Sequence, residues 1–283
     1  MISLDCPQVR RLVRLALDED LMLGDPTSEL CSAEDPIKQA AFVAKEDLIV
    51  CGLPLARIIF DEFDASCKIG TTSPEGTLVK KGQTLLVLEA HLKHLLTLER
   101  TLLNFFQKLC GVATNTANFL SHAQGLTVLD TRKTTPGWRM LEKYATRTGG
   151  AKNHRMALGD MLMVKNNHID NFPGAGGITD LLNGLIKRKP AHLGLEVETR
   201  NMSELKAALT ARVDYVMLDN WPLAELKDAI AFIAALPNPP LVEISGGVTV
   251  ERVTELKEAK VQLISVGALT RTAKMVDISM RIS

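Results

Sequence analysis

No stretch of this sequence stays apolar for the roughly 18 residues that a membrane-spanning helix needs. Nor is there an excess of charge, since 33 Lys and Arg stand against 33 Asp and Glu. With no basic tail either, duplex nucleic acid, which is held through many phosphate contacts, is not an expected partner. Cysteine is scarce and scattered: five residues, all before Gly111, with no Cys-x-x-Cys pair. That pattern excludes a disulfide framework and a structural zinc site, and points to a reducing compartment. The opening MISLDCPQVRRLV carries an early acid and lacks the hydrophobic region of a secretory signal, so a cytoplasmic location is expected. What is present is 283 residues, 46% hydrophobic and 23% charged. This is an ordinary globular composition, long enough for about two domains or for one barrel with an addition.

Within this balanced chain the charge is unevenly placed. The 39 residues from Asp130 to His168 hold eight Lys and Arg against three acids, and His154 and His168 in addition. Such a concentration of cations points to an anionic ligand. Arg139, Lys143 and Arg147 recur at helical spacing after Pro136-Gly137 and read as a solvated helix face. Arg132, Lys133, His154, Arg155 and Lys165 fall in turn-like or strand-end contexts and are the candidate functional cations. Arg100 also stands out, as a cation in the apolar helical stretch LERTLLNFF, where burial is expensive unless it is paired or aimed at an anion.

The first part of the chain reads as α+β. A helix is predicted over Pro7–Asp20, strands over 37–50, 67–69 and 77–79 and in TLLVLEA, and helices over 52–63 and 92–120, the last with a possible break at Gly111. From residue 126 a different rhythm begins. Strands at 127–129, 161–164, 193–197, 215–218, 241–244 and 263–266 alternate with helices at 137–148, 179–189, 202–211, 222–236 and 249–259. Alternation of this kind implies a parallel sheet with right-handed crossovers. The strands run out into Asp130-Thr131-Arg132-Lys133, Lys165, Glu198, Asp219-Asn220, Ser245-Gly246-Gly247 and Gly267-Ala268. In a closed α/β barrel those ends would meet at one mouth, and a barrel of six or seven strands is the preferred reading.

The turns EISGGVT and SVGALT follow the last two strands, where barrels commonly hold a phosphate on backbone N–H groups. Glu198 and Asp219 end neighbouring strands. They are either salt-bridge partners for nearby cations or groups that hold ribose hydroxyls, directly or through Mg²⁺. Arg132, Arg155 and Lys165 then remain for a second polyanion, and the planar fork of Arg suits carboxylates. The residues together call for a sugar phosphate beside an acidic partner, which a phosphoribosyl transfer would supply.

The segments DTRKTTPGWRMLEKYATRTGGAKNHR, MLMVKNNHI, LGLEVET, VMLDN, EISGGVT and SVGALT, with ALDEDLMLGDPTSE and LERTLLNFFQKLCGVAT, resemble the quinolinate phosphoribosyltransferase family along nearly the whole chain. Trp138, Ala151-Lys152 and KNNH depart from its usual pattern, and Trp138 is expected to reshape the pocket rim. The resemblance implies an incomplete α/β barrel (114–270) with an N-terminal α/β sandwich domain (1–113) joined by the tail 271–283. It implies a homodimer or higher oligomer in which the sandwich domain of one subunit covers the barrel mouth of the other. It further implies that Thr131, Arg132, His154, Arg155 and Lys165, with Arg100 from the neighbour, hold quinolinate. Lys133 would neutralise the pyrophosphate of phosphoribosyl pyrophosphate, and Glu198 and Asp219 would bind ribose and Mg²⁺. Ser245, Gly246, Gly247, Gly267 and Ala268 would hold the 5′-phosphate. A nicotinate-using relative would need fewer cations, and a bare anion-binding module would not need acids at the mouth.

Overall fold

The computed structural model describes residues 3–31, 34–174 and 176–283. The chain begins with α1 (Pro7–Asp20), α2 (Pro26–Cys31), β1 (Ile37–Ala44), β2 (Leu48–Ile49) and α3 (Leu55–Glu62). Next come β3 (Lys68–Thr72), β4 (Leu78–Val79), β5 (Thr84–His91) and the long helix α4 (Leu92–His122). Then follow β6 (Thr127–Leu129), α5 (Arg139–Thr148), β7 (Leu162–Val164), α6 (Asn166–Asp170) and α7 (Gly177–Arg188). After these come β8 (Leu195–Thr199), α8 (Met202–Thr210), β9 (Tyr215–Asp219), α9 (Leu223–Ala234) and β10 (Leu241–Ser245). The chain closes with α10 (Val250–Glu258), β11 (Leu263–Ser265), α11 (Ala268–Arg271) and β12 (Ile278–Ile282).

These elements form two compact units. One comprises Met1–Asn118, Lys133–Ala151 and Leu269–Ser283. Its four-stranded antiparallel sheet runs β12-β1-β5-β3, with Ala40 opposite Ile282 and Leu88. Helix α1 starts with Pro at its first turn, where a missing N–H costs nothing, and buries Val9, Val13 and Leu17 at i, i+4 and i+8. The apolar face of α4 supplies Leu98, Leu102, Phe105, Phe106 and Leu109 to the same core, where Phe106 meets Phe42 edge-on at 5.3 Å.

Helix α5 belongs to this unit as well, although its sequence position suggested the barrel. Leu141 and Ala145 are buried in the first core, and Trp138 stacks on Phe105 at 5.0 Å. Trp138 is therefore a packing residue here, in place of the expected rim residue. The solvated-face reading of α5 also needs correction. Arg147 is exposed, but Lys143 is fully buried beside the buried Glu142. Glu142 accepts from the backbone N–H and the hydroxyl of Thr135, and Lys108 Nζ lies 3.5 Å from it. Helical spacing alone does not reveal that α5 is covered on more than one side.

The second unit is Phe119–Arg132 with Lys152–Ala268. Its six strands run β6-β11-β10-β9-β8-β7, and every ladder between them is parallel. This is the cyclic order of a barrel left open between β6 and β7, so the fold is an incomplete α/β barrel of six strands. The opening has a chain-level cause: between β6 and β7 the backbone leaves to build α5. Where it returns, Lys152 forms a parallel bridge to Leu129, with backbone bonds Asp130 N–H to Lys152 O at 3.0 Å and Lys152 N–H to Val128 O at 2.9 Å.

Helix α4 passes Gly111 without a break. The glycine serves an approach: a Cβ at this position would lie 2.0 Å from the backbone oxygen of Lys274. On a free helix surface, alanine would be about 1 kcal/mol better than glycine. Here Gly111→Ala is expected to destabilise by about 1–3 kcal/mol through overpacking. Urea unfolding would measure this, and a midpoint equal to or above wild type would contradict it.

Candidate active site

The site in the second unit starts at the end of β6. Asp130 is fully buried. Its carboxylate accepts from Asn153 Nδ2 at 2.6 Å and from the His154 backbone N–H at 2.9 Å. A strand end is thereby tied to the turn that carries the NHR sequence, and Arg132 is brought beside Arg155. Both guanidiniums, with Lys165 and His168, line one cavity of about 350 Å³. Its other walls are apolar: Leu158, Leu162, Met163, Val164, Leu181 and Leu185. Burial, and then the positive charge of Arg132, press the Arg155 pKa below its usual value. Arg155 spends Nη1 on Met161 O at 3.0 Å, but its buried Nε has no hydrogen-bond partner among the described residues.

Lys165 opens α6, where its N–H is accepted by His168 Nδ1 at 2.9 Å. Its ammonium lies 2.6 Å from Glu198 Oε2. Glu198 is buried near the end of β8. On the neighbouring strand β9, Asp219 accepts from Asn220 Nδ2 at 2.8 Å and is paired in register with Ser245 of β10. Beyond Ser245 the backbone turns through positive φ at Gly246 (81°) and Gly247 (56°). Gly246 is required twice over, because a Cβ would lie 2.3 Å from Asn220 Oδ1. Arg252 fixes the same turn by donating to Gly246 O at 3.1 Å and to Trp221 O at 2.7 Å. Gly267 and Ala268 follow β11, which pairs β10 on one side and β6 on the other.

The structure thus collects Arg132, Arg155 and Lys165 in one cavity and places Glu198, Asp219 and Ser245 on adjacent strands. Thr131 lies between the Asp130 anchor and Arg132. His154 is placed differently from the other candidates. Its ring looks into the barrel interior, where Nε2 is 3.3 Å from Oε2 of both Glu196 and Glu243. Burial lowers its pKa, but the two carboxylates outweigh this and push it up to about 9. Lys133 and Arg100 belong to the first unit and are both exposed. Lys133 O accepts from the Thr270 hydroxyl at 2.8 Å. The exposure of Arg100 answers the concern that it was a buried charge.

Sequence reasoning missed Asp130 as an anchor, the supports Asn220 and Arg252, and the interior acids Glu196 and Glu243. One signal was available. Glu196 precedes Glu198 by two residues, so in a strand both point to the same side, and Glu243 interrupts the otherwise apolar LVEI.

A site with these parts is also what similarity to known proteins indicates. The family profiles for the N-terminal and C-terminal domains of quinolinate phosphoribosyl transferase match residues 25–110 and 112–281. Among curated proteins, a mitochondrial quinolinate phosphoribosyltransferase [decarboxylating] of Nicotiana tabacum is 36% identical, over 97% of this chain and 82% of its own. A probable nicotinate-nucleotide pyrophosphorylase [carboxylating] of Synechocystis is 38% identical, over 94% and 90%. Among solved structures, the nicotinate-nucleotide pyrophosphorylase of Francisella tularensis superposes with a TM-score of 0.88 at 33% identity, covering 99% of this chain and 98% of that one. Profile, sequence and fold agree along most of the length, and the chain belongs to the quinolinate phosphoribosyltransferase family.

Proposed function

We propose that this protein transfers the phosphoribosyl group of phosphoribosyl pyrophosphate to quinolinate with loss of CO₂, giving nicotinate mononucleotide and pyrophosphate. The observation that carries the reading is the cavity where Arg132, Arg155 and Lys165 gather between apolar walls. Arg132 and Arg155 repel each other in a partly desolvated space, and an anion held between them relieves that repulsion. Apolar walls favour an aromatic ring as the body of that anion. A pyridine with two adjacent carboxylates meets both demands, whereas a single carboxylate would leave one cation unmatched. Arg132 and Arg155 grip the carboxylates through charge-assisted contacts, and Lys165 completes the set.

Glu198 and Asp219 take the ribose hydroxyls, and the turns Ser245-Gly246-Gly247 and Gly267-Ala268 take the 5′-phosphate on their backbone N–H groups. Two carboxylates beside a substrate rich in phosphate oxygens also fit the donor set of Mg²⁺, which takes one or two protein carboxylates and completes its shell with water and phosphate. Bound there, the ion would offset charge on the departing pyrophosphate. Lys133 serves the same charge. As pyrophosphate leaves, the anomeric carbon becomes cationic, and the anionic side chains of Glu198 and Asp219 favour that change. The pyridine nitrogen, held by the cation clamp, attacks from the opposite face, so positioning supplies much of the acceleration. As CO₂ departs from the ribosylated ring, the electron pair of the broken C–C bond stays on the ring carbon beside the positive nitrogen, and a proton from water takes the place of the carboxylate there.

Arg100 reaches the site of a second copy of this chain, which makes the enzyme a homodimer or a higher oligomer. All five cysteines are free thiols, which favours a reducing compartment such as the cytoplasm. Among the described residues no helix is long and apolar enough to cross a membrane.

Purified protein supplied with Mg²⁺, phosphoribosyl pyrophosphate and quinolinate is expected to release CO₂ and form nicotinate mononucleotide. Turnover of nicotinate with none of quinolinate would reject the assignment. Arg132→Ala is expected to weaken quinolinate binding roughly 10- to 150-fold, the equivalent of about 1.5–3 kcal/mol for one charged contact; isothermal titration showing unchanged affinity would remove Arg132 from the clamp. Mixed Arg100→Ala and Glu198→Ala chains are expected to recover part of the lost activity in hybrid dimers. Confirmed hybrids that stay inactive would show that the site is not shared between copies.

A further inference from the structure

We infer that Glu196 and Glu243, two acids inside the barrel, are positioning residues for the substrate clamp, and that they act through the ring of His154 on Arg155. The inference rests on the reading of the Arg132–Arg155–Lys165 cavity as the quinolinate site. Both acids are almost fully enclosed, at 0% and 1% exposure. Neither oxygen of Glu196, nor Oε1 of Glu243, has a hydrogen-bond partner among the described residues. They border a cavity of about 340 Å³ into which His154 projects. Barrel interiors are ordinarily filled by Val, Ile and Leu, and an enclosed carboxyl without partners is costly. A pair of them facing one imidazole therefore has a function beyond filling space.

The ring connects two places. Nε2 stands 3.3 Å from each acid, while Nδ1 accepts the backbone N–H of Arg155 at 2.7 Å. That N–H sets the direction in which the chain leaves residue 154, and with it the starting point of the Arg155 side chain. Asp130 holds the other side of the turn, through Asn153 and the His154 N–H. The ring angle is the remaining freedom, and the two acids remove it by attracting Nε2–H from both sides.

Three such groups within 4.8 Å of one another would also suit a transition metal ion. The Arg155 contact argues against one. A metal on Nε2 requires that the ring proton sit on Nδ1, and Nδ1 here faces an N–H donor. A proton on Nε2 faces the two acids and leaves the Nδ1 lone pair to accept the Arg155 N–H, although the two carboxylates by themselves favour the doubly protonated ring.

The test uses the intact enzyme and three measurements: quinolinate affinity by titration calorimetry, KM for phosphoribosyl pyrophosphate, and Tm. Glu243→Ala and Glu196→Ala are expected to weaken quinolinate binding on the order of 10- to 100-fold, because small misplacements at a clamp are costly. KM for phosphoribosyl pyrophosphate should change less than twofold. Glu243→Gln keeps an acceptor oxygen and should recover most of the affinity. In a His154→Ala background, removing either acid should cost nothing more, since the group they orient is gone. Full additivity in that background, equal loss for both substrates, or no rescue by glutamine would overturn the inference. So would a stoichiometric metal ion that co-purifies with wild type and is lost from Glu243→Ala. Failure of the cavity reading itself looks different: wild type would then show no quinolinate binding at all.

Discussion

One buried carboxylate holds this site together. Asp130 directly follows β6 at the edge of an open sheet, and its oxygens take the Asn153 side chain and the His154 N–H. Between those two points the chain travels through α5, in another compact unit, for some twenty residues. Closing so long an excursion at one fixed place costs entropy that grows only slowly with length, and a few strong hydrogen bonds to an ionised acceptor can offset it. Asp130 thus does the work that a β6–β7 ladder would do in a closed barrel, and it does so with side-chain oxygens at the point where Arg132 and Arg155 must meet.

The same location explains why the interior of the second unit is polar. Glu196, Glu198 and Glu243 are enclosed in strands that apolar residues would fill more cheaply, and burial together with the neighbouring Glu243 raises the pKa of Glu196. In a protein shaped by stability alone such groups would be replaced, since well-packed hydrophobic residues often match or exceed buried charged sets. Their presence on successive inward positions, below a cavity of crowded cations, is the mark of a region arranged for ligand chemistry. The first unit shows the contrast. Its core is packed mainly from Leu, Ile, Val, Phe and Ala of β1, β5, α1, α3 and α4, with the buried charges Glu142 and Lys143 in α5, and it can be read as scaffold.

Much of this was legible in the residues. The change from mixed order to strict strand–helix alternation near residue 126 follows from periodicity, and most strands fall within a residue or two of their expected limits. The residues after each strand named the chemistry, because parallel strands end on one side of their sheet. What was not legible has a common origin in tertiary placement. Nothing local says that α5 packs against Phe105, and so nothing local says that Lys143 is enclosed. Gly111 looks like a helix breaker until Lys274 is seen against it. His154 has the composition of an anion ligand, and only the folding of β8 and β10 shows that its ring meets Glu196 and Glu243 first.

Lys165 joins the two halves of the site electrostatically. It lines the cationic cavity, yet its ammonium is 2.6 Å from Glu198, one of the acids given to the sugar. With no ligand present, each half therefore compensates the other, and neither charge is left alone in a partly buried space. On the proposed reading, a dicarboxylate entering the cavity competes for Lys165, and to that extent Glu198 becomes the more negative group facing the ribose. Coulomb attraction at such separations is several times stronger near a protein than in water, so a shift of the lysine by a few ångströms is enough to change what the acid offers. On the proposed assignment, occupation of the pyridine half strengthens the anionic character of the ribose half, where positive charge develops as pyrophosphate leaves.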